Sequence, residues 1–473
     1  MDGLVTFLQP SRDEAFDGDP LREALDPFFK GEEKAEALLV VITDYCENFS
    51  INIAEDLTRY YRTLISLLFL RKFRQKRDER LDNRIRSLIL NGRIKRFGKR
   101  FYLHKGYEFL AVFLFENKRA KPDCSRLEKG AIPHKHLPQP LQSVELGLIY
   151  LYLGLMSSDD KLLCKGLKCV EFSLSLFDHG GKLFQGLWQN EADYKIAARS
   201  ETFPLLFQVA SQLIPCCSKL RMVSESFPKR CYSDPFIRLF DHGFKEMAFP
   251  RLSQGLTLRD VDRSLGFLYY RCGETSLVCS AAGINTGISS IHKRGVDVVS
   301  MGPHYAPLAD SDYYGIFRLS NGSREGFKDL KIESDDERGK FQGWIRVVSP
   351  RGEDRTKDWL FFDLEADKET IDLTIRKSHR NISTPLFYVF FIAADKGSIG
   401  NKVELLPGTL NRYLGNADKV LFEKGVNKLE IAPHFEGEMT VIPLAGKDHF
   451  WSAHFLVAFS LNKKLYPYRW TID

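Results

Sequence analysis

The chain has 473 residues, 44% apolar and 27% charged, a globular balance spread over more sequence than one hydrophobic core serves, so two or three domains are expected. It lacks any run of about 18 uncharged apolar residues, the longest candidate being Leu64–Leu70, and residues 1–19 carry acids where a secretory signal needs a basic and then an apolar stretch. A cytoplasmic protein with no membrane association is the expectation. The net charge of +6 hides an asymmetry, because residues 71–100 hold 13 Lys and Arg against 3 Asp and Glu.

Residues 1–30 read as an irregular leader punctuated by Pro10, Gly18 and Pro20. Helical spacing then dominates residues 31–255. It covers 35–44, 53–75 and 81–90, and the basic block therefore falls on helices, either as a solvated face or as a surface for a polyanion. Few aromatics interleave with these charges, which disfavours single-stranded nucleic acid as the partner. Between Arg93 and Phe115 the pattern fits a hairpin or a broken helix equally well. Four prolines and the pair His134 and His136 make 118–140 a linker or surface loop.

Helices are predicted over Ser143–Met156, with Ser143 as N-cap, and over Asp160–Phe177, where Leu162, Leu163, Leu167, Val170, Leu174 and Phe177 form one stripe. Gly180 and Gly181 stop the second. Another helix is predicted from about Tyr194 to Ile214, kinked or split at Pro204, and a last one near Pro235–Met247. Paired helices of this kind build a toroid or a bundle.

From residue 256 to 473 the period changes. Roughly a dozen short runs follow, among them 296–301, 343–348, 359–364, 386–393 and 455–459, alternating or fully apolar and broken by turn residues. Strands at this spacing with no helical pattern between them predict a large antiparallel β-sandwich. The fold class expected is thus α+β, a helical domain followed by a sandwich.

Two stretches carry residues suited to chemistry. In the first, Gln185, Trp188, Asn190 and Tyr194 follow the Gly-Gly stop: an indole offers a flat face to a sugar ring, and amides hydrogen-bond a carboxylate. In the second, Asn285 opens a strand, Lys293, Arg294 and Gly295 make a hairpin turn, and His304, Tyr305, Tyr313 and Tyr314 come after the next strand. Histidine and tyrosine there are candidate general acids and bases. Nine cysteines stand without a CxxC pair, so neither a zinc site nor a disulfide framework is expected, and no cofactor is called for.

A helical domain followed by a sandwich, with a Gly-Gly loop leading to Asn190 and Tyr194, resembles the heparinase II/III-like polysaccharide lyases. The stretch Asn285–Pro303 is similar in outline to that group's hairpin motif: Ser289, Ser290 and Ile291, Gly295 at the turn, then Gly302 and Pro303. The group's histidine position is Asn285 here and the following aspartate is Gly287, so no metal is expected. The resemblance implies β-elimination on an acidic, uronate-containing polysaccharide or oligosaccharide. Asn190, with Gln185, would neutralise the uronate carboxylate, and Tyr194, Tyr313, Tyr314 or His304 would move the proton. Trp188, Arg294 and Tyr305 would bind substrate. The alternative is a non-catalytic module of the same fold that binds a glycan or a protein partner.

Overall fold

The computed structural model describes residues 39–44, 47, 57–73, 79–91, 101–116, 133–134, 137–138, 140–178, 181–184, 191–227, 232–252, 261–262, 266–284, 287–305, 327–335, 337–348, 355–378, 386–400, 403–444, 453–461 and 467–473. They fall into two compact units. One draws on Met1–His134, Gln139–Leu174 and Arg199–Thr257, and the other on Lys135–Pro138, Ser175–Ala198 and Leu258–Asp473.

The first unit is helical. Its helices are α1 (Leu57–Phe73), α2 (Glu79–Asn91), α3 (Phe101–Glu116), α4 (Pro140–Ser157), α5 (Asp160–Ser175), α7 (Thr202–Leu213), α8 (Ser218–Ser226) and α9 (Pro235–Lys245), while α6 (Glu191–Arg199) belongs to the second unit up to Ala198. The apolar run at 64–70 is the interior of α1, where Leu64, Ile65, Leu67, Leu68, Phe69 and Leu70 are all buried. Of the stretch 93–115, which fits a hairpin or a broken helix, residues 101–115 lie in one helix and 93–100 lie outside the described residues. Helix α4 begins at Pro140, so Ser143 is a buried residue inside it and not its cap; proline suits a first helical position because it lacks an N–H the helix could not use there. The helix expected from about Tyr194 to Ile214 is split in two, but at residues 200–201 and not at Pro204, which stands in the first turn of α7, where it breaks no ladder bond.

Two glycines set the distance between α4 and α5. A Cβ on Gly154 would stand 2.8 Å from the Leu163 backbone nitrogen, and one on Gly166 would stand 3.0 Å from that of Leu151. Each glycine thus admits the other helix's backbone. A buried ion network joins three more helices. Arg62 donates from Nε to Glu145 Oε1 (2.7 Å) and lies 3.4 Å from Asp234 Oδ2, while the Tyr107 hydroxyl donates to the same Glu145 oxygen. Asp234 also caps α9 by accepting from Phe236 N at 2.9 Å.

The described part of the basic block is largely committed to its own unit. Arg71 makes a two-bond fork to Asp82 (2.6 and 2.8 Å), and Arg84 pairs with Asp44 (2.6 Å) and Glu47 (2.7 Å). The guanidiniums of Arg71 and Arg86 sit 4.7 and 5.6 Å from the centroid of the Phe115 ring.

The second unit is an antiparallel sandwich. Its strands are β1 (Val261–Asp262), β2 (Phe267–Cys272), β3 (Thr275–Ile284), β4 (Gly287–Lys293), β5 (Val296–Tyr305), β6 (Phe327–Ser334), β7 (Gly339–Val348), β8 (Arg355–Ala366), β9 (Ile371–Lys377), β10 (Leu386–Ala393), β11 (Lys396–Ile399), β12 (Val403–Leu405), β13 (Tyr413–Gly415), β14 (Val420–Lys424), β15 (Asn427–Pro433), β16 (Met439–Pro443), β17 (Phe455–Ser460) and β18 (Tyr468–Ile472). One nine-stranded sheet runs β12-β11-β14-β15-β18-β9-β8-β7-β6, and the other β13-β16-β17-β10-β5-β4-β3-β2-β1. Alternate residues of both fill a single core, with Trp470 of β18 5.3 Å from Tyr388 of β10 and 5.6 Å from Phe459 of β17, ring to ring. An α+β chain, helices first and sandwich second, is what the change of period predicts. Residues 315–319, whose pattern also predicts a strand, lie outside the described residues.

Candidate functional site

The connection after α5 is a tight hairpin and not merely a helix stop. Phe177 and Leu183 bridge antiparallel, Asp178 N donates to Lys182 O (2.8 Å), and Phe184 N donates to Leu176 O (2.9 Å). Inside the turn, Lys182 N donates to Asp178 Oδ1 at 2.8 Å, and Gly181 takes φ +78°, a left-handed conformation open to glycine at little cost. Arg271 of β2 holds the hairpin from outside by donating to the carbonyls of Ser175 (2.7 Å) and Phe177 (3.2 Å), and Phe184 packs with Phe267, Tyr269 and Val278.

A second turn sets the opposite wall. Strands β4 and β5 join through Arg294 and Gly295, both at positive φ (+47° and +78°), the signature of a two-residue type I′ hairpin turn. That turn pairs Lys293 with Val296, and His292 with Asp297 one step further. The pairing brings His292 Nδ1 to 2.7 Å from Asp297 Oδ1.

At this place the two hairpins meet. Lys182 Nζ lies 2.5 Å from Asp297 Oδ2, Lys424 Nζ at the end of β14 lies 3.4 Å from the same oxygen, and His292 Nε2 is 3.7 Å from Asp178 Oδ2. Burial opposes charge on Asp297, whose side chain is only 10% exposed, but the His292 hydrogen bond and the Lys182 charge outweigh it and hold the carboxyl well below the usual carboxylate range. The contact with Asp297 orients the imidazole so that Nε2 faces the buried Asp178 carboxylate, and the ring and both lysines remain part-exposed. A positioned imidazole beside two ammonium groups can exchange a proton and meet an anion in one place.

The two stretches singled out in the sequence come together within the second unit through Asp178, Lys182, His292 and Asp297, and only some of the residues named there as candidates are described. Of those, Tyr194 is half-buried in α6. Arg294 occupies the β4–β5 turn, while His304 and Tyr305 end β5 at its other extremity, roughly 30 Å away at about 3.3 Å per residue. The side chains of His304 and Tyr305, and the residues Gln185, Trp188, Asn190, Asn285, Tyr313 and Tyr314, lie outside the described residues. The usable signal for the missed cluster was the Lys-Arg-Gly turn, since a two-residue turn there places 292 opposite 297. Among the described residues no group of three or more His, Cys, Asp or Glu side chains is placed to hold a metal ion.

No protein-family model matches the chain, and no curated protein does. Among solved structures it is similar to a chondroitinase AC lyase, at 8% identity over 87% of this chain and 74% of that one, with a TM-score of 0.37. It is also similar to the 4-alpha-glucanotransferase of Thermococcus litoralis, at 9% identity over 73% and 57% of the respective chains, with a TM-score of 0.31. Likenesses of this size do not bear on chemistry. No described helix is long and apolar enough to cross a membrane.

Proposed function

We propose that the protein acts on an acidic, uronate-containing glycan by β-elimination. The observation that carries this reading is His292, oriented through Nδ1 by Asp297, with Lys182 and Lys424 within ion-pair distance of the same carboxylate. Elimination at a uronate needs a base for the C5 proton and positive charge to offset the carboxylate as electron density builds on C5. In this reading His292 Nε2 takes the proton, the C5 electrons form the C4–C5 double bond, and the C4–O bond breaks. Lys182 and Lys424, supported by Asn190 and Gln185, face the carboxylate, and Tyr194, Tyr313 or Tyr314 returns a proton to the departing oxygen, a role the far end of β5 rules out for His304. Arg294, two residues from His292 on the same turn, binds the neighbouring sugar, with Trp188 and Tyr305 as further substrate contacts. A positioned base contributes about 10²–10⁴-fold, and fixed charge is commonly the larger share.

A second reading has its own observation. Lys182 is tied to Asp297 while its own N–H binds Asp178, so the cluster also serves as a latch that holds the hairpin on the sheet. That favours a non-catalytic module for a glycan or a protein partner. The full chain and a His292→Ala variant should be incubated with polygalacturonate, alginate, hyaluronan, chondroitin sulfate and heparin. Ultraviolet absorbance from an unsaturated uronate, present in the parent and lost in the variant, supports elimination. Retention on one of these polymers with no new absorbance establishes the binding module.

A further inference from the structure

Helices α7 and α8 are joined by a turn that carries two adjacent cysteines. The Ile214 N–H ends α7 on the Ala210 carbonyl (2.9 Å), and Cys217 N then donates to Ile214 O (3.3 Å), closing a four-residue turn with Pro215 and Cys216 at its centre. Proline suits the place it holds there, because its fixed φ matches the second residue of such a turn. Helix α8 starts at once, with Arg221 N donating to Cys217 O at 3.1 Å. The turn is anchored on both flanks, since Leu213, Ile214 and Leu220 are buried. Its two thiols are not: Cys216 is exposed, Cys217 is half-buried, and both are free cysteines. Cys217 is the N-cap of α8, yet its side chain makes no capping hydrogen bond. Both sulfurs are therefore available on one anchored step of the chain.

What such a pair takes up follows from its spacing and its number. A disulfide usually spans about 4.4–6.8 Å between Cα atoms, and adjacent residues stand only about 3.8 Å apart, so closing the pair on itself strains the ring. A strained disulfide is readily reduced, which leaves the pair as a dithiol. A structural zinc ion asks for four protein ligands, and among the described residues no group of three or more His, Cys, Asp or Glu side chains is placed to hold a metal ion. The ligand must then be satisfied by two sulfurs and bring its own remaining substituent. We infer that Cys216 and Cys217 form a chelating site for a trivalent organoarsenical, a soft centre that keeps one bond to its own carbon and takes two thiolates. In water the arsenical carries two hydroxyls. Two S–H and two As–O bonds break, two As–S and two O–H bonds form, two waters leave, and arsenic stays trivalent. The site lies in the helical unit and is independent of the elimination reading.

The test is incubation of the full chain with phenylarsine oxide in excess 2-mercaptoethanol, followed by intact-mass spectrometry. One adduct per chain is expected. It should survive the monothiol, which offers no chelate, and be removed by 2,3-dimercaptopropanol, which does. Cys216→Ser and Cys217→Ser should each weaken binding about a hundredfold or more, the scale on which a second link on the same molecule raises affinity. Cys164→Ser, at an exposed cysteine on α5, should leave it unchanged. Far-ultraviolet circular dichroism identifies any variant that fails to fold, and with two nearly isosteric serine variants the one that folds decides. The inference is overturned if no adduct survives the monothiol, or if either folded serine variant at 216 or 217 retains the arsenical as tightly as the parent. Neither result touches product formation from polyuronates, which tests His292 alone.

Discussion

Replacing Asp297 by Asn removes the charge that ties the 177–183 hairpin to β5 while keeping side-chain shape. Asp297 holds two charge-assisted bonds, from His292 at 2.7 Å and Lys182 at 2.5 Å, at a side chain 10% exposed. Opening the hairpin severs only the Lys182 bond, and that lysine is 41% exposed, which reduces its worth. The remaining loss is about 1–2 kcal/mol. Local opening controls amide exchange, so the Lys182 and Phe184 amides, both hydrogen-bonded in the hairpin, should exchange roughly 5–30-fold faster in the variant at pH 7. The amide of Leu373 on β9 should be unchanged. The effect has a definite pH dependence. Because the folded carboxyl titrates below its unfolded value, the parent's advantage is complete above about pH 4 and fades as the pH falls further. Hydrogen exchange of both proteins at pH 7 and near pH 3 measures this directly. Equal rates at pH 7, or a difference that grows toward low pH, would refute the ionic latch.

Two further outcomes are expected. Arg62→Ala leaves Glu145 buried without its cation and should destabilise the helical unit by about 3–5 kcal/mol in urea unfolding, whereas a surface arginine such as Arg221 should cost under about 1 kcal/mol. Burial pushes the Cys279 thiol up to about 12, so iodoacetamide at pH 8 should alkylate the exposed Cys164 and Cys216 and leave Cys279 unmodified in the folded chain, as peptide mass mapping will show.

The two-part architecture was legible because hydrophobic period is set by which face is buried. The one-sided stripe on α5 and the alternation in β8 and β9 leave little freedom in how each buries its apolar side. Short edge elements were not legible: β11, β12 and β13 have three or four residues each, too few for a period to show. Tyr468–Ile472 is short as well, five residues alternating buried and outward. The cluster at Asp297 was hidden because its members come from three segments that only the tertiary fold joins. Aspartate, lysine and histidine in a Gly-rich turn read locally as turn chemistry, and nothing local distinguishes Lys182 from a solvated lysine. Burial of Arg62 was equally silent, as an arginine in an apolar helix gives no sign of the glutamate waiting 83 positions later.

The hairpin that carries Lys182 belongs to the sandwich although the segment that holds it, Ser175–Ala198, lies in sequence between stretches of the other unit. On a ribosome this arrangement imposes a wait. The Lys182 and Asp297 codons are 115 positions apart, which at about 5–20 residues per second means on the order of ten seconds between the emergence of the two partners. During that interval the sheet against which Phe184 packs is still being made. The few hydrogen bonds inside the 177–183 turn are too little to hold so short a piece alone, so its folded shape waits for β2 to β5.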